Sequence, residues 1–279
     1  MASLDNFLPN RKFSFVVAGV KKCGTSALKN FIAKHPQSRF IDLYASEGHF
    51  FDIACLGMTA EECLEPRNIQ KFYYGPESED KLKPEIMFSE TTPAYFTTPG
   101  AAHRLKLYNP KIKIILVTCD PVKRALSDYR HSINIVNQPT NSGHYINVIR
   151  MATRQYLNSS VHFENIVDQA LYDINDKNDS EIYQMMAEKY RVENDFWRKA
   201  NADDKEYTTN YISAMFKNET GRISFSPLTK MVIDGMYDLY LAEWLKHFKL
   251  NSNLMILDNM SLRDDPFTEL ERVLNFLEM

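Results

Sequence analysis

The chain is short of several features that would declare a function outright. Its 279 residues hold four cysteines, Cys23, Cys55, Cys63 and Cys119, with no C-x-x-C pair and no zinc spacing. Zinc is therefore a poor reading. Four cysteines are also too few for a disulfide-dense scaffold. Free, partly buried thiols are the default expectation, although Cys55 and Cys63 are close enough in sequence to pair. Basic charge is not in excess: 33 Lys and Arg stand against 36 Asp and Glu, a formal net charge of -3. A protein that neutralises nucleic acid over its whole surface would be strongly basic, so any polyanion site must be a local patch. Long hydrophobic runs are missing too. The runs 13–20 (FSFVVAGV) and 114–118 (IILVT) fall far short of the ~20 residues of a membrane-spanning helix. The N-terminal MASLDNFLPNRK has no signal-peptide core, and no internal repeat is present.

What is present reads as an ordinary globular α/β protein, with 44% hydrophobic and 25% charged residues. Residues 13–19 are short, apolar and β-branched, and Gly19 stops them, which predicts a buried strand. Residues 25–34 place Leu28, Phe31 and Ile32 on one helical face ahead of Pro36. Further strands are predicted at 85–89, 112–118 and 253–258. Helices are predicted at 98–107, 121–135, 226–248 and 266–277, with Ser261 or Asp264 capping the last. Strands alternating with helices predict a doubly wound sheet of parallel strands. The polar stretch 137–225 is helical in pattern (161–174 and 180–199) and reads as a helical insertion within a single domain, 1–279. Four N-x-S/T sequons, at Asn158, Asn178, Asn218 and Asn259, matter only on a secretory route.

Residues 19–26 read GVKKCGTS. Gly19-x4-Gly24 between a strand and a helix is the spacing of a phosphate-cradling loop, in which backbone N–H groups and the helix dipole attract an anion. A nucleotide kinase would place Lys after Gly24; here Thr25 and Ser26 follow, and Lys21 and Lys22 lie inside the loop. The lysine that would reach a γ-phosphate is thus missing, which argues against a phosphotransferase. A glycine turn without ligand remains the alternative on spacing alone.

Four further segments stand in order after this loop: EGHFFD (47–52), ETTPAYF (90–96), DPVKRALSDY (120–129) and the late pair GMYDLYLAEWLKHF (235–248) and LMILDNMSLRDDPFTELERVLNFL (254–277). Together with GVKKCGTSAL (19–28), they resemble the heparan sulfate sulfotransferases, and among these the glucosaminyl 3-O-sulfotransferases. The resemblance covers nearly the whole chain except about 137–225. It implies a P-loop-like three-layer sandwich with a central parallel sheet. It also implies a sulfuryl transfer from 3′-phosphoadenosine 5′-phosphosulfate to a glucosamine hydroxyl of heparan sulfate, without a metal. By that likeness Glu47 is the general base, His49 and Asp52 assist and orient it, and Lys22 stabilises charge on the bridging oxygen. The backbone of Cys23, Gly24, Thr25 and Ser26, with the Thr25 hydroxyl, would hold the 5′-phosphate, and Ser127 the 3′-phosphate. Phe50 and Phe51 are expected to exclude water from the base. The partner would be a glycosaminoglycan and not nucleic acid, and the compartment the Golgi lumen.

The pattern breaks at Cys119, at Thr91 and after Met279, and more mildly at Cys23. Cys119 stands where most relatives have an arginine for the 3′-phosphate, a bond worth roughly 1.5–3 kcal/mol. Lys123 or Arg124 could reach across in its stead. Thr91 stands where the 3-O enzymes have a lysine, and Cys23 replaces a loop glycine, which a non-glycine tolerates only at negative φ. The family also continues into a Lys/Arg-rich, disulfide-bearing segment, which is expected to be missing after Met279. A truncated or degenerate homologue that binds glycan or nucleotide without turnover is the alternative.

Overall fold

The structure, a computed structural model, describes residues 12–40, 47–55, 58–73, 85–137, 162–188 and 229–279. The chain divides into two compact units, Met1–Cys119 with Tyr240–Met279, and Asp120–Leu239.

The first unit is built on five strands: β1 (Phe15–Gly19), β2 (Ser38–Phe40), β3 (Met87–Thr91), β4 (Lys113–Thr118) and β5 (Leu254–Asp258). They form one sheet in the order β2-β3-β1-β4-β5, and every pairing is parallel. Sequence and position agree here. β1 is FVVAG, buried at all five positions, and β4 is KIILVT, buried over its four central residues. A strand covered on both faces must be apolar throughout rather than alternating. Helices α1 (Thr25–Ile32), α4 (Ala101–Tyr108) and the last helix, Pro266–Leu277, lie in the same unit, as do the short α2 (Ala60–Cys63) and α3 (Pro66–Tyr73). The fold is the expected α/β class with a central parallel sheet.

Particular boundaries differ from expectation. The last helix is capped by Asp265, whose carboxylate accepts the Thr268 N–H at 3.2 Å, and not by Ser261 or Asp264. Asp258 caps the short helix Asn259–Asp264 before it. The expected helix 226–248 is broken over its described part into Lys230–Ile233 and Tyr237–His247. The break falls at Gly235, where an added Cβ would stand 3.0 Å from Pro121. The elements β2, α2 and α3 are not among the expected ones; β2 and α2, at 3 and 4 residues, are too short to carry a period.

The cysteines are a correction. Among the described residues none is free: Cys23 is bonded to Cys119 and Cys55 to Cys63, with Cα separations of 5.3 and 5.0 Å. Cys23 follows β1 and Cys119 follows β4, and these strands are neighbours in the sheet, so 96 residues of sequence separation vanish at its C-terminal edge.

In the second unit, α5 (Pro121–Asn137) and helix Phe163–Ile174 meet through Tyr129 and Phe163, with ring centroids 5.4 Å apart. Ile166 and Met231 form a small buried cluster with Tyr129 and Val232. Of the stretch 137–225, only 137 and 162–188 are described, with helices at Phe163–Ile174 and 179–188; the remainder of the expected helix 180–199 lies outside the described residues, as do Asn158 and Asn218.

Candidate active site: a base-bearing turn held by two hydroxyls

The site begins with the local conformation of EGHFFD. His49 has φ of 54°, in the left-handed region that a non-glycine residue seldom adopts. Immediately after it, Phe50–Ala54 make a π-helical turn, closed by Ala54 N–H donating to the His49 carbonyl and Cys55 N–H to the Phe50 carbonyl. Such a turn leaves its leading amides unpaired within the segment. They find acceptors 43 to 45 residues away. The Thr92 hydroxyl accepts the N–H groups of Gly48 (3.0 Å) and His49 (3.1 Å). The Tyr95 hydroxyl accepts those of Phe50 (2.9 Å) and Phe51 (3.2 Å). Arg104 completes the hold: its Nε and Nη2 donate to the Phe51 carbonyl at 2.8 and 2.6 Å.

Four consecutive amides are thus satisfied by two side chains of ETTPAYF, which gives a physical reason for the two segments to occur together. Thr92 and Tyr95 are fully buried. Burial, followed by the nearby charges of Glu90 and Asp52, holds the Tyr95 phenol far above its ordinary range, so it stays neutral.

The geometry of the ionisable groups follows. His49 Nδ1 lies 2.8 Å from Asp52 Oδ2, and Nε2 lies 3.0 Å from Glu47 Oε2. Burial pushes the imidazole pKa down. The hydrogen bonds to Asp52 and Glu47, with their charges, outweigh it and raise the value to about 10. At neutral pH the ring is therefore an imidazolium between two carboxylates. The two carboxylates differ in access: the Asp52 side chain is 5% exposed and that of Glu47 39%. Asp52 can hold the ring, while Glu47 is the group an incoming hydroxyl can reach. Phe50 and Phe51 open the π-helical turn. Both rings are buried, and Phe51 packs edge-on against Tyr95 and Tyr108. They anchor the turn in the core.

The phosphate loop lies at the end of β1. Gly19 is pressed against the ETTPAYF segment: a Cβ there would fall 2.5 Å from the Phe96 Cβ. Thr92 also donates its N–H to the Val17 carbonyl at 3.2 Å. Residues 92–96 therefore touch both the strand that leads into the loop and the base-bearing turn. Trp244 fixes the same segment from its other end, its indole N–H donating to the Phe96 carbonyl at 3.0 Å.

α1 starts at Thr25 on Gly24, which has φ of 95° and supplies no side-chain cap. The first-turn N–H groups of such a helix are ready donors for an anion. The Cys23 N–H is turned inward and donates to the Val20 carbonyl at 3.0 Å. Lys22, with φ of 71°, and Gly24 carry the loop's left-handed conformations; Cys23 between them is not at positive φ.

Ser127 is half-buried on α5 in the second unit. Arg124, on the same helix, is buried. It bonds the Met231 carbonyl and lies 3.4 Å from Asp128, so it is committed to its own unit. Lys123 is exposed, 3.9 Å from Asp120. Thr91 is 4% exposed at the end of β3 and does not present its hydroxyl to solvent. Sequence reading assigned no role to Thr92 or Tyr95, although both lie inside a quoted motif. Arg104 carried no signal at all, and Asn259 stood out only as a sequon. Among the described residues no cluster of three or more His, Cys, Asp or Glu could hold a metal, and no helix is long and apolar enough to cross a membrane.

The chain is 36% identical over 121 residues to human heparan sulfate glucosamine 3-O-sulfotransferase 6, covering 43% of this chain and 30% of that protein. It is 36% identical over 120 residues to mouse heparan sulfate glucosamine 3-O-sulfotransferase 3B1, covering 43% of this chain and 26% of that one. It is also 31% identical over 126 residues to the membrane-associated sulfotransferase kil1 of Dictyostelium discoideum, covering 45% of this chain and 23% of that protein. The matched stretch thus spans less than a third of each of these relatives. The crystal structure of a sulfotransferase from Alicyclobacillus acidocaldarius superposes with a TM-score of 0.57 over 96% of this chain and 81% of that one, at 16% identity, which shows a shared fold. The sulfotransferase domain matches residues 13–279, from the lead-in to β1 to the end of the last helix, and by that match the chain belongs to the sulfotransferase domain family.

Proposed function

We propose that the protein transfers a sulfuryl group from 3′-phosphoadenosine 5′-phosphosulfate to a glucosamine hydroxyl of heparan sulfate or a closely related glycosaminoglycan. The observation that carries this reading is the Glu47–His49–Asp52 array, with Glu47 at its solvent-facing end. The curated relatives named for this reaction support it.

The loop fits the donor's 5′ end, with an uncapped helix N-terminus, a left-handed Gly24 and an adjacent Lys22. The backbone of Gly24, Thr25 and Ser26, with the Thr25 hydroxyl, would hold the phosphate. Cys23 contributes through its place in the loop rather than through its N–H. Ser127 is assigned to the 3′-phosphate. The donor supplies an activated sulfuryl group on a phosphate leaving group. Glu47 takes the proton of the acceptor hydroxyl as its oxygen bonds to sulfur. His49, protonated and fixed by Asp52, keeps that carboxylate in place. Lys22 balances the charge that passes to the departing phosphate oxygen, leaving adenosine 3′,5′-bisphosphate and a sulfated glycan. Both disulfides suit an oxidising compartment, which fits a site in the secretory lumen. The whole chain, 1–279, serves as one sulfotransferase domain in this reading.

The test is transfer of radiolabelled sulfate from the donor to heparan sulfate by the purified chain, with loss of transfer in Glu47→Gln. The degenerate reading is favoured by one observation: Cys119, at the relatives' arginine position, is taken up in a disulfide. Tight binding of adenosine 3′,5′-bisphosphate with no transfer would select that alternative. No nucleotide binding would overturn both.

A further inference from the structure

The loop between β1 and α1 runs over residues 20–24, with the Val20 N–H donating to the Val117 carbonyl at 2.9 Å. Its internal hydrogen bond runs from the Cys23 N–H to the Val20 carbonyl, and it carries two left-handed residues, Lys22 and Gly24, on either side of Cys23. A left-handed lysine persists only where its surroundings hold it. Cys23 is one place where the surroundings take hold. Its sulfur is bonded to Cys119, the residue after β4. Its carbonyl accepts the side-chain amide of Asn259, the residue after β5, at 2.8 Å. The Asn259 amide nitrogen also fills the space beside Gly24, 2.5 Å from where a Cβ would stand. The two holds come from consecutive strands of the sheet and converge on one residue of the loop.

We propose that Cys23 is a two-point anchor of the phosphate loop, tied through its sulfur to Cys119 and through its carbonyl to Asn259, and that affinity for the donor nucleotide depends on both ties. Cys119 and Asn259 are positioning residues: they act on the ligand through the loop. Through Cys119 the loop assigned to the 5′-phosphate has a covalent brace to the end of β4.

The anchor has a consequence for modification. Asn259 heads an N-x-S sequon. The nitrogen that a glycan would occupy is the one that donates to Cys23 and packs on Gly24. A glycan would leave that nitrogen one N–H but crowd it against Cys23 and Gly24, so it opposes the closed loop, and the nucleotide-binding form is expected to carry Asn259 unmodified.

The inference rests on the sulfotransferase reading only for the identity of the ligand, and its test separates the two. Adenosine 3′,5′-bisphosphate binding is measured by calorimetry on the full chain, and hydrogen exchange of residues 20–26 is followed without ligand. Asn259→Ala should weaken binding about five- to tenfold, the loss of one hydrogen bond, with kcat at saturating donor within about twofold. Asn259→Asp should be worse than Asn259→Ala, because a carboxylate faces the Cys23 carbonyl. Dithiothreitol, which reduces the bond to two thiols and closes to a cyclic disulfide itself, should weaken binding about tenfold or more, as should Cys23→Ser with Cys119→Ser. Each change should speed exchange in the loop. Peptide mapping should find Cys23 and Cys119 joined and Asn259 bare. Free thiols at both positions, a glycan on Asn259 in the binding fraction, or unchanged exchange in Asn259→Ala would overturn the anchor. If the unaltered protein binds no nucleotide, the functional reading falls, and the exchange rates alone decide the anchor.

Discussion

The Thr92 hydroxyl accepts the backbone N–H of His49 at 3.1 Å, and so holds the residue whose ring bridges Glu47 and Asp52. Thr92 is fully buried and serves the Gly48 N–H as well. Thr92→Val keeps the shape and removes the acceptor, leaving buried amides unpaired at about 1–3 kcal/mol. The expected result is a melting temperature lower by several degrees and a kcat that falls further than donor affinity does. Tyr95→Phe should do the same through the Phe50 and Phe51 amides. Calorimetric melts and steady-state kinetics measure both. Unchanged melting in both variants would remove the hydroxyls from the account.

His49 titrates far from an ordinary histidine. Its pKa rises from 6.5 to about 10 on folding, so the native state retains a proton that the unfolded chain gives up near pH 6.5. The stabilisation is fully present below pH 6.5 and is lost as pH rises toward 10. The difference in melting temperature between the unaltered protein and His49→Ala should therefore narrow from pH 7 to pH 10. An imidazole resonance with a midpoint near 6.5 would show that the two carboxylates do not hold the ring.

Glu47→Gln should lower sulfate transfer by about 100-fold or more, the usual scale for a general base. Nucleotide affinity should stay as it was, because the substitution lies on the base-bearing turn and not on the phosphate loop. A loss of affinity comparable with the loss of rate would place Glu47 in binding instead.

Gly24→Ala meets two obstacles, a φ of 95° and an Asn259 amide 2.5 Å from the new methyl. The conformation alone costs about 1–2 kcal/mol for an alanine. The variant should bind adenosine 3′,5′-bisphosphate more weakly and show faster exchange at 20–26, while Ala27→Gly, one turn into the helix, should disturb the loop less.

Arg124→Met tests whether that arginine serves its own unit. Removing one member of a buried pair costs about 3–5 kcal/mol, because the partner is left charged and buried. Asp128 is that partner, and the Met231 carbonyl loses its donor. Marked destabilisation is expected; a variant as stable as the parent would contradict the buried role.

Sequence by itself determined the strand–loop–helix at 15–32 and the parallel α/β class, because each rests on residues near one another in the chain, whereas Glu47, His49 and Asp52 are singled out only by a family likeness. Apolar β-branched runs bounded by glycine or proline read as buried strands whatever surrounds them. Tertiary structure alone decided which cysteines pair, which hydroxyls receive the amides of 48–51, and why Asn259 belongs to the phosphate loop. Apart from Cys55 and Cys63, 8 residues apart, those partners lie 43 to 236 residues apart. They meet because all five strands are parallel, so the loops that follow them gather at one edge of the sheet. Local pattern carries no trace of that meeting. A threonine that caps a distant turn and a threonine facing solvent read alike until strand order brings one of them against an unpaired N–H.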